Sequence, residues 1–212
     1  MELSENTLNV LRNFSGINQN ILIKSGTNLK TISEARNVVA TADVTEEFPK
    51  DFGIYDLNEF IGVMGLVDAP SLKFEDDFVT VSDSSGRSKV KYFYAAEETL
   101  TSPTKDVTMP EADVKFTLDN DTLNKLKKAA STLGHSEVSI KAKDGVLSLS
   151  VVENQNATSN AFSIDIDGEF KQDAVFNFII SISNLKILPG DYEVEISSKL
   201  ITQFKNKEIP LK

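Results

Sequence analysis

Residues 118–133 read LDNDTLNKLKKAASTL, and a similar phrase, LSENTLNVLRNFSGIN, occupies residues 3–18. At an offset of 115 residues, the two phrases share the same amino acid at five pairs of positions: Leu3/Leu118, Thr7/Thr122, Leu8/Leu123, Asn9/Asn124 and Leu11/Leu126. This match indicates that the chain contains an internal duplication. The length of 212 residues is enough for two domains of about 100 residues each.

Each phrase has the apolar spacing of an amphipathic helix. In the second copy one stripe recurs at steps of three and four residues: Leu123, Leu126, Ala130 and Leu133. Asp119 or Asp121 can cap its start. At roughly 100° per residue, Lys128 lies opposite this stripe, Lys125 is on the same side, and Lys127 is on the flank. A cationic face is typical both of an ordinary solvated helix and of a surface that contacts phosphate, so this helix alone leaves both readings open.

The composition limits the classes of function. The chain has 32 acidic and 22 basic residues and a net charge of -10, which weighs against nucleic-acid binding unless the positive charge is local. It has no cysteine, which excludes disulfides and thiolate metal sites. The N-terminus is not signal-like, and no apolar run approaches the roughly eighteen residues that span a bilayer. We therefore expect an intracellular protein with no membrane partner.

The order of patterns repeats in the two halves. After the first helix, strand-like runs lead to a second helix with a capping box at Asp56 and Glu59, and then to more strands, the last over 88–94. In the second half, Asp144-Gly145 predicts a two-residue hairpin turn, 157–166 predicts a strand, and 181–188 predicts a short helix that ends before a Pro-Gly pair.

Residues 95–112 follow neither period and contain two prolines, which predicts a connector between domains. The sequence therefore predicts an α+β fold of two similar domains, residues 1–94 and 113–212, joined by residues 95–112. Each domain is expected to pack two helices on antiparallel sheet.

Catalytic motifs give no positive signal. The single histidine, His135, excludes most catalytic triads and histidine-based zinc sites, and its place just past a helix favours a polar turn residue. Asp165 and Asp167 would share one strand face and could hold a hydrated magnesium ion, although acidic surface residues have the same pattern. We predict a protein that is not an enzyme, with no catalytic residue, cofactor or metal.

Four phrases carry a family resemblance: LSENTLNVLRNFSGIN (3–18), ILIKSG (21–26), FGIYDLNEFIGVMGLV (52–67) and FNFIISISNLKILPGDY (176–192). In this order and spacing they resemble the DNA polymerase sliding clamps of tailed phages with contractile tails. The resemblance implies the DNA clamp fold and a homotrimeric ring whose helices face duplex DNA. It also implies a processivity factor that tethers the DNA polymerase, is loaded by an ATP-dependent clamp loader, and works in the cytoplasm of the infected bacterial host.

The resemblance also implies three sets of site residues. The DNA-facing cations would be Arg12, Lys125, Lys127, Lys128 and Lys186, the last on the final helix. A partner groove beside the connector would use Leu100, Val107, Met109, Pro110, Leu200, Ile201, Ile209 and Pro210. The ring would close by antiparallel pairing of two edge strands, through Val90, Tyr92 and Tyr94 of one copy and Phe162, Ile164 and Ile166 of the next.

Two features depart from the family pattern. The Asp56 helix carries no cation, and the family continues for about one further strand after the position of Lys212, so the resemblance implies that the last family strand is absent. Two other functions remain open at this stage. One is a monomeric two-domain module that binds a phosphate-containing ligand or a protein, and the other is a divalent-metal phosphoesterase that uses Asp165 and Asp167.

Overall fold

The computed structural model describes residues 1–153, 156 and 158–209. The chain divides into two compact units, Met1–Val107 and a second unit that begins at Thr108. The division falls inside the predicted connector, while the predicted domain bounds themselves stay a prediction. In the described part of the chain, no helix is long and apolar enough to cross a membrane.

The first unit contains two α-helices, each capped by a side chain. Helix α1 (Glu5–Ile17) begins after Ser4, whose hydroxyl accepts a hydrogen bond from the amide of Thr7 at 3.3 Å. Helix α2 (Leu57–Met64) begins after Asp56, whose carboxylate accepts from the amides of residues 58 and 59 at 3.0 Å. The predicted N-cap at Asp56 is confirmed.

The strands of the first unit are all antiparallel. They are β1 (Ile21–Ile23), β2 (Gly26–Ile32), β3 (Val39–Phe48), β4 (Phe52–Ile54), β5 (Ser71–Phe74), β6 (Phe78–Ser82) and β7 (Lys89–Phe93). Strand β1 pairs with β4, β2 pairs with β3, and β5, β6 and β7 form a three-stranded sheet with β7 at one edge. The helices bury apolar side chains against these sheets, among them Leu11, Phe14 and Phe60.

The second unit contains one α-helix and two four-stranded sheets among its described residues. Its elements are β8 (Val114–Leu118), α3 (Asn120–Leu133), β9 (Glu137–Lys143), β10 (Val146–Val152), β11 (Phe162–Ile166), β12 (Gly168–Phe170), β13 (Phe176–Ser181), β14 (Tyr192–Ser197) and β15 (Ile201–Asn206). The sheet orders are β11-β10-β9-β13 and β12-β8-β14-β15. Helix α3 buries Leu123, Leu126 and Ala130 in the core that these sheets share.

The predicted two-residue hairpin turn is confirmed. Val138, Ile140 and Ala142 of β9 lie opposite Val151, Leu149 and Leu147 of β10. The turn residues Asp144 and Gly145 have φ values of 53° and 77°. Positive φ at both positions is typical of a type I′ turn, which matches the twist of the strands it joins.

The predicted helix over 181–188 is a single 3₁₀ turn, Ile182–Asn184. Serine and asparagine compete for backbone hydrogen bonds, the isoleucines are β-branched, and Pro189 prevents extension. The amide of Ile182 instead donates to the carbonyl of Ser136 at 2.8 Å. The described residues thus contain three α-helices rather than four.

The predicted strand over 157–166 begins at Phe162, and Ala157 lies outside the described residues. The α+β class and the antiparallel sheets are confirmed.

Candidate nucleic-acid and protein interfaces

The cationic face of α3 has the orientation that its period predicts. Lys125 and Lys128 are exposed, on the side of the helix away from the buried Leu123 and Leu126. Within the described part of the chain, neither ammonium group has an ion-pair partner within 4 Å. These two cations are therefore available to an external anion.

Lys127 lies at the border of this face, as its helical phase predicts. It is half-buried, and burial lowers the pKa of its ammonium group. An anion that approaches the flank of α3 would compensate the Lys127 ammonium group for the water it loses on burial. Lys127 can therefore assist the two exposed lysines.

Arg12 occupies the position of Lys127 in the first copy of the repeat. Its guanidinium donates to the Glu5 carboxylate at 2.7 Å and to the Asn9 side chain at 2.9 Å. Both partners of the ion pair are exposed, and exposed pairs contribute only about 0 to 1 kcal/mol. A phosphate could therefore replace Glu5 at little cost.

Lys186 is exposed, but it lies in the loop after the 3₁₀ turn and not on a helix. Its neighbour Leu185 is buried and anchors the loop. Helix α2 carries no cation, and its exposed positions include Asn58 and Glu59. The described cations on helices are thus concentrated on α1 and α3.

A carboxylate holds the start of each repeated helix. In α3 the N-cap Asp119 accepts hydrogen bonds from the amide and the hydroxyl of Thr122, at 2.7 and 3.0 Å. The hydrogen bond from the Thr122 amide is the main cause that lowers the pKa of Asp119. In α1 the equivalent threonine, Thr7, donates its hydroxyl to Glu46 of β3, which also accepts from the amide of Ser4.

The environment of Glu46 favours its charged form. Burial opposes ionisation, but the hydrogen bonds from Thr7 and Ser4 outweigh it and lower the pKa of Glu46 to about 2. Sequence reasoning missed this residue because it reaches the helix from a strand 39 residues further along the chain.

The predicted subunit contacts lie on two edge strands, β7 and β11, and at Tyr94 directly after β7. Val90, Tyr92 and Tyr94, like Phe162, Ile164 and Ile166, are partly buried within their own units. The Tyr92 ring centre is 5.2 Å from that of Phe60, and its hydroxyl donates to the carbonyl of Asp56 at 3.0 Å. Burial raises the pKa of Tyr92 to about 12. These six side chains face inward, and the free edges offer backbone groups.

The first part of the connector is attached to the first unit. Asn20 accepts from the amide of Thr101 at 2.8 Å, and Asn18 donates to the carbonyls of Ile32 and Thr101 at 2.8 and 3.3 Å. Lys30 and Asp106 form an ion pair at 2.6 Å. Of the predicted groove residues, Leu100 is partly buried here and Val107 is exposed.

The remaining groove residues belong to the second unit. Leu200 is 94% exposed and has a φ of 65° in the turn between β14 and β15. Asp113 supports this turn, since its carboxylate accepts from the amide of Ser198 at 2.6 Å and its own amide donates to the carbonyl of Ile196 at 2.8 Å. Four further groove residues are partly buried: Met109, Pro110, Ile201 and Ile209. Pro210 lies outside the described residues.

Asp165 and Asp167 are exposed at the edge of an open cavity of about 1090 Å³ in the second unit. Other carboxylates line it, namely Asp119, Glu169, Glu193 and Glu195. Among the described residues, no group of three or more histidine or carboxylate side chains is arranged to hold a metal ion. The Nε2 atom of His135 lies 2.7 Å from the carbonyl oxygen of Asn160.

Comparison with known proteins covers both halves of the chain. Residues 4–102 match the family described as DNA polymerase processivity factor, and residues 115–209 match the family described as gp45 sliding clamp, C terminal. The sliding clamp of Vibrio phage KVP40 is 32% identical over 96% of this chain and 94% of its own length. The chain belongs to the sliding-clamp family.

The clamp has further relatives in sequence and structure. It is 30% identical to the sliding clamp of Escherichia phage RB69, over 99% of this chain and 94% of the relative. A chain in the solved structure of the C-terminal region of FEN-1 bound to A. fulgidus PCNA has a TM-score of 0.66 at 12% identity. The match covers 92% of the clamp and 86% of that chain. The family resemblance, the clamp fold and the processivity-factor function are confirmed, and this role implies DNA and a DNA polymerase as partners.

Proposed function

We propose that three copies of this clamp close into a ring around duplex DNA and that the ring tethers the replicative DNA polymerase. An ATP-dependent clamp loader opens the ring, in the cytoplasm of the infected bacterial host. The clamp performs no reaction of its own. The observation that carries this proposal is the repeated helix whose exposed side bears Lys125 and Lys128, neither of which forms an ion pair within 4 Å with any residue that the structure describes.

The charge distribution suits a link that slides. A ring that surrounds DNA is held by topology and needs little affinity, so a few cations suffice on its inner helices. Lys125 and Lys128 contact phosphates, Lys127 and Arg12 assist from the flank and from α1, and Lys186 contributes from its loop. Phosphate contacts carry no base sequence information, which fits a clamp that moves along any duplex. The net charge of -10 on the whole chain discourages lateral binding to other duplexes.

Ring closure uses the two free strand edges. Strand β7 of one copy pairs antiparallel with β11 of the next, so that the unpaired N–H and C=O groups of both edges gain partners. Val90, Tyr92 and Tyr94 then continue the apolar side of the sheet into Phe162, Ile164 and Ile166. The support for this step is that both strands are edge strands in their own sheets.

Polymerase and loader peptides dock at the groove residues of the connector and of the β14–β15 turn. The exposure of Leu200 together with its left-handed backbone supports this assignment, because strained residues are retained where function requires them. Met109 and Pro110 offer an adaptable apolar shelf.

The DNA contacts are tested with K125E/K128E, which reverses two exposed charges. We expect shorter polymerase runs on a primed circular template with loader present, and a salt dependence of DNA retention reduced by about 0.9 in slope for each lost phosphate contact. The matched control is K141E/K143E, an equal charge change at exposed positions of β9.

The molar mass in solution is measured for every variant. The proposal requires three times the 23.3 kDa chain mass. A monomeric parent protein would instead favour the phosphate-binding module. If K125E/K128E remains trimeric and supports runs as long as those of the parent, the assignment of these lysines is wrong.

A further inference from the structure

Strands β7 and β11, the two edge strands assigned to the ring contact, carry opposite charges on their exposed faces. In β7, exposed Lys89, Lys91 and Phe93 alternate with partly buried residues. In β11 and just beyond it, exposed Ser163, Asp165 and Asp167 alternate in the same way. One edge therefore offers a basic row and the other an acidic row.

The exposed residues of β7 also point their backbone N–H and C=O groups toward the free edge of the strand. The amide of Tyr94 donates to the carbonyl of Asp77 at 3.0 Å, on the side of β6. Backbone groups of successive residues point to opposite sides of a strand. The N–H and C=O groups of Lys89, Lys91 and Phe93 therefore point away from β6 and have no partner in their own sheet.

The same counting applies to β11. The two-residue turn at Asp144 and Gly145 closes on the pair Lys143 and Val146, which is hydrogen-bonded in a turn of this type. Because backbone groups alternate along β10, the N–H and C=O groups of Leu147, Leu149 and Val151 point toward β11. These residues lie opposite Ile166, Ile164 and Phe162. The backbone groups of Ser163 and Asp165 are left at the free edge.

The backbone hydrogen-bonding directions of β7 and β11 are compatible with one continuous sheet. In an antiparallel pair, residues that exchange hydrogen bonds lie directly opposite each other with side chains on the same face. The basic row of β7 and the acidic row of β11 therefore come to lie side by side. If the alternate residues of either strand pointed their backbone groups toward the free edge instead, pairing would place exposed lysines on the buried face of the sheet.

Charge favours one register among those that the backbone hydrogen-bonding directions of β7 and β11 allow. With Lys91 opposite Asp165, Lys89 lies opposite Asp167 and Phe93 lies opposite Ser163. Among residues 89–93 and 163–167, this register forms two opposite-charge pairs, and a shift of two residues in either direction forms only one. One shift pairs Lys91 with Asp167 and places Phe93 opposite Asp165. The other shift pairs Lys89 with Asp165 and leaves Lys91 opposite Ser163. In the chosen register, Tyr92 lies opposite Ile164 on the apolar side.

We propose that Lys91 and Lys89 of one copy form cross-strand ion pairs with Asp165 and Asp167 of the next copy, and that these pairs set the register of the ring contact. This inference rests on the proposed trimeric ring and specifies its interface. In the described part of the chain, none of these four groups forms an ion pair within 4 Å. The ammonium of Lys91 lies 4.7 Å from the centre of the Phe78 ring, and the cavity that Asp165 and Asp167 line leaves room beside β11.

The register is tested by cross-linking, because the chain contains no native cysteine. Directly opposite residues have Cα atoms about 5.5 Å apart, within disulfide range, whereas diagonal neighbours lie about 7 to 8 Å apart. We expect K91C/D165C to form covalent trimers on mild oxidation, and we expect the matched pair K89C/D165C to stay largely uncoupled. Preferential coupling of K89C/D165C would overturn the register.

The ion pairs are tested by charge exchange, with molar mass measured as a function of concentration. K91E or D165K alone should weaken each subunit contact about fivefold, the scale of one cross-strand pair, and K91E/D165K should restore it. K141E, at an exposed position of β9, is the control. A monomeric parent would overturn the ring and this pairing together. A trimeric parent whose single variants match it, or whose double variant is weaker than both, would overturn the pairing alone.

Discussion

Replacing Glu46 with glutamine should loosen the start of α1. The Glu46 carboxylate accepts hydrogen bonds from the Ser4 amide and the Thr7 hydroxyl, and together these lower its pKa to about 2. An amide side chain can accept only on one oxygen and carries no charge, so it satisfies the two donors less well. Helix α1 also carries Arg12, one of the proposed DNA contacts.

The expected loss follows from the pKa. A fall from 4.5 to about 2 corresponds to about 3.4 kcal/mol at 1.36 kcal/mol per unit. Solvent screening at a partly exposed carboxylate reduces this to about 1 to 2 kcal/mol. Because the pKa is lower in the folded state, the contribution is present above the unfolded pKa and is lost as the pH falls from 4.5 toward 2.

The assay is urea unfolding followed by circular dichroism, at one protein concentration, between neutral pH and about pH 2.5. E46Q should unfold at lower urea than the parent at neutral pH, and the difference should shrink as the pH falls below 4.5. E47Q is the control, because Glu47 is the exposed neighbour in the same strand. Equal midpoints of E46Q and parent at neutral pH, or a gap that does not change with pH, would refute the reasoning.

Three further outcomes are expected. Gly168→Ala places a Cβ against the Leu147 side chain and 3.0 Å from the carbonyl oxygen of Lys115, and should lower the free energy of unfolding by about 1 to 3 kcal/mol. Gly16→Ala, whose Cβ meets nothing within 4 Å, is the control, and a Gly168→Ala protein with the thermal midpoint of the parent would contradict this prediction. Ser163→Pro removes an amide from the free edge and should dissociate the proposed trimer, as sedimentation would show, whereas Phe162→Pro would remove a hydrogen bond to β10 inside the unit. Leu200→Gly relieves a left-handed backbone and should raise stability by about 1 kcal/mol while it weakens binding of a polymerase C-terminal peptide in calorimetry; unchanged binding would place the groove elsewhere.

Local periodicity explains what the sequence could predict. The repeated helix, the Asp144-Gly145 hairpin and the N-cap at Asp56 depend on residues that are neighbours in the chain, so their signals survive without any knowledge of the tertiary fold. The cationic side of α3 follows from the same period, since the helix has only one apolar stripe to bury.

Features that depend on distant contacts were not predictable in this way. The hydrogen bond between Glu46 and Thr7 joins a strand to helix α1, and no local sequence pattern indicates it. The segment at 182–184 forms a single 3₁₀ turn, and its first amide donates to the carbonyl of Ser136, which is distant in the sequence. Whether the backbone groups of Phe162 point toward β10 or toward the free edge depends on the β9–β10 and β10–β11 registers, which no local sequence pattern determines.

The opposite rows on β7 and β11 also restrict which assemblies can form at all. A strand edge that presents Lys89 and Lys91 repels a second copy of itself, and the acidic edge does the same, so a symmetric two-fold dimer through either edge is disfavoured. In the proposed ring, each copy therefore adds head to tail through β7 and β11, and growth ends when the last free β11 edge meets the first free β7 edge. The charges thus decide the polarity of the assembly, while the angle between successive copies decides how many are needed to close it.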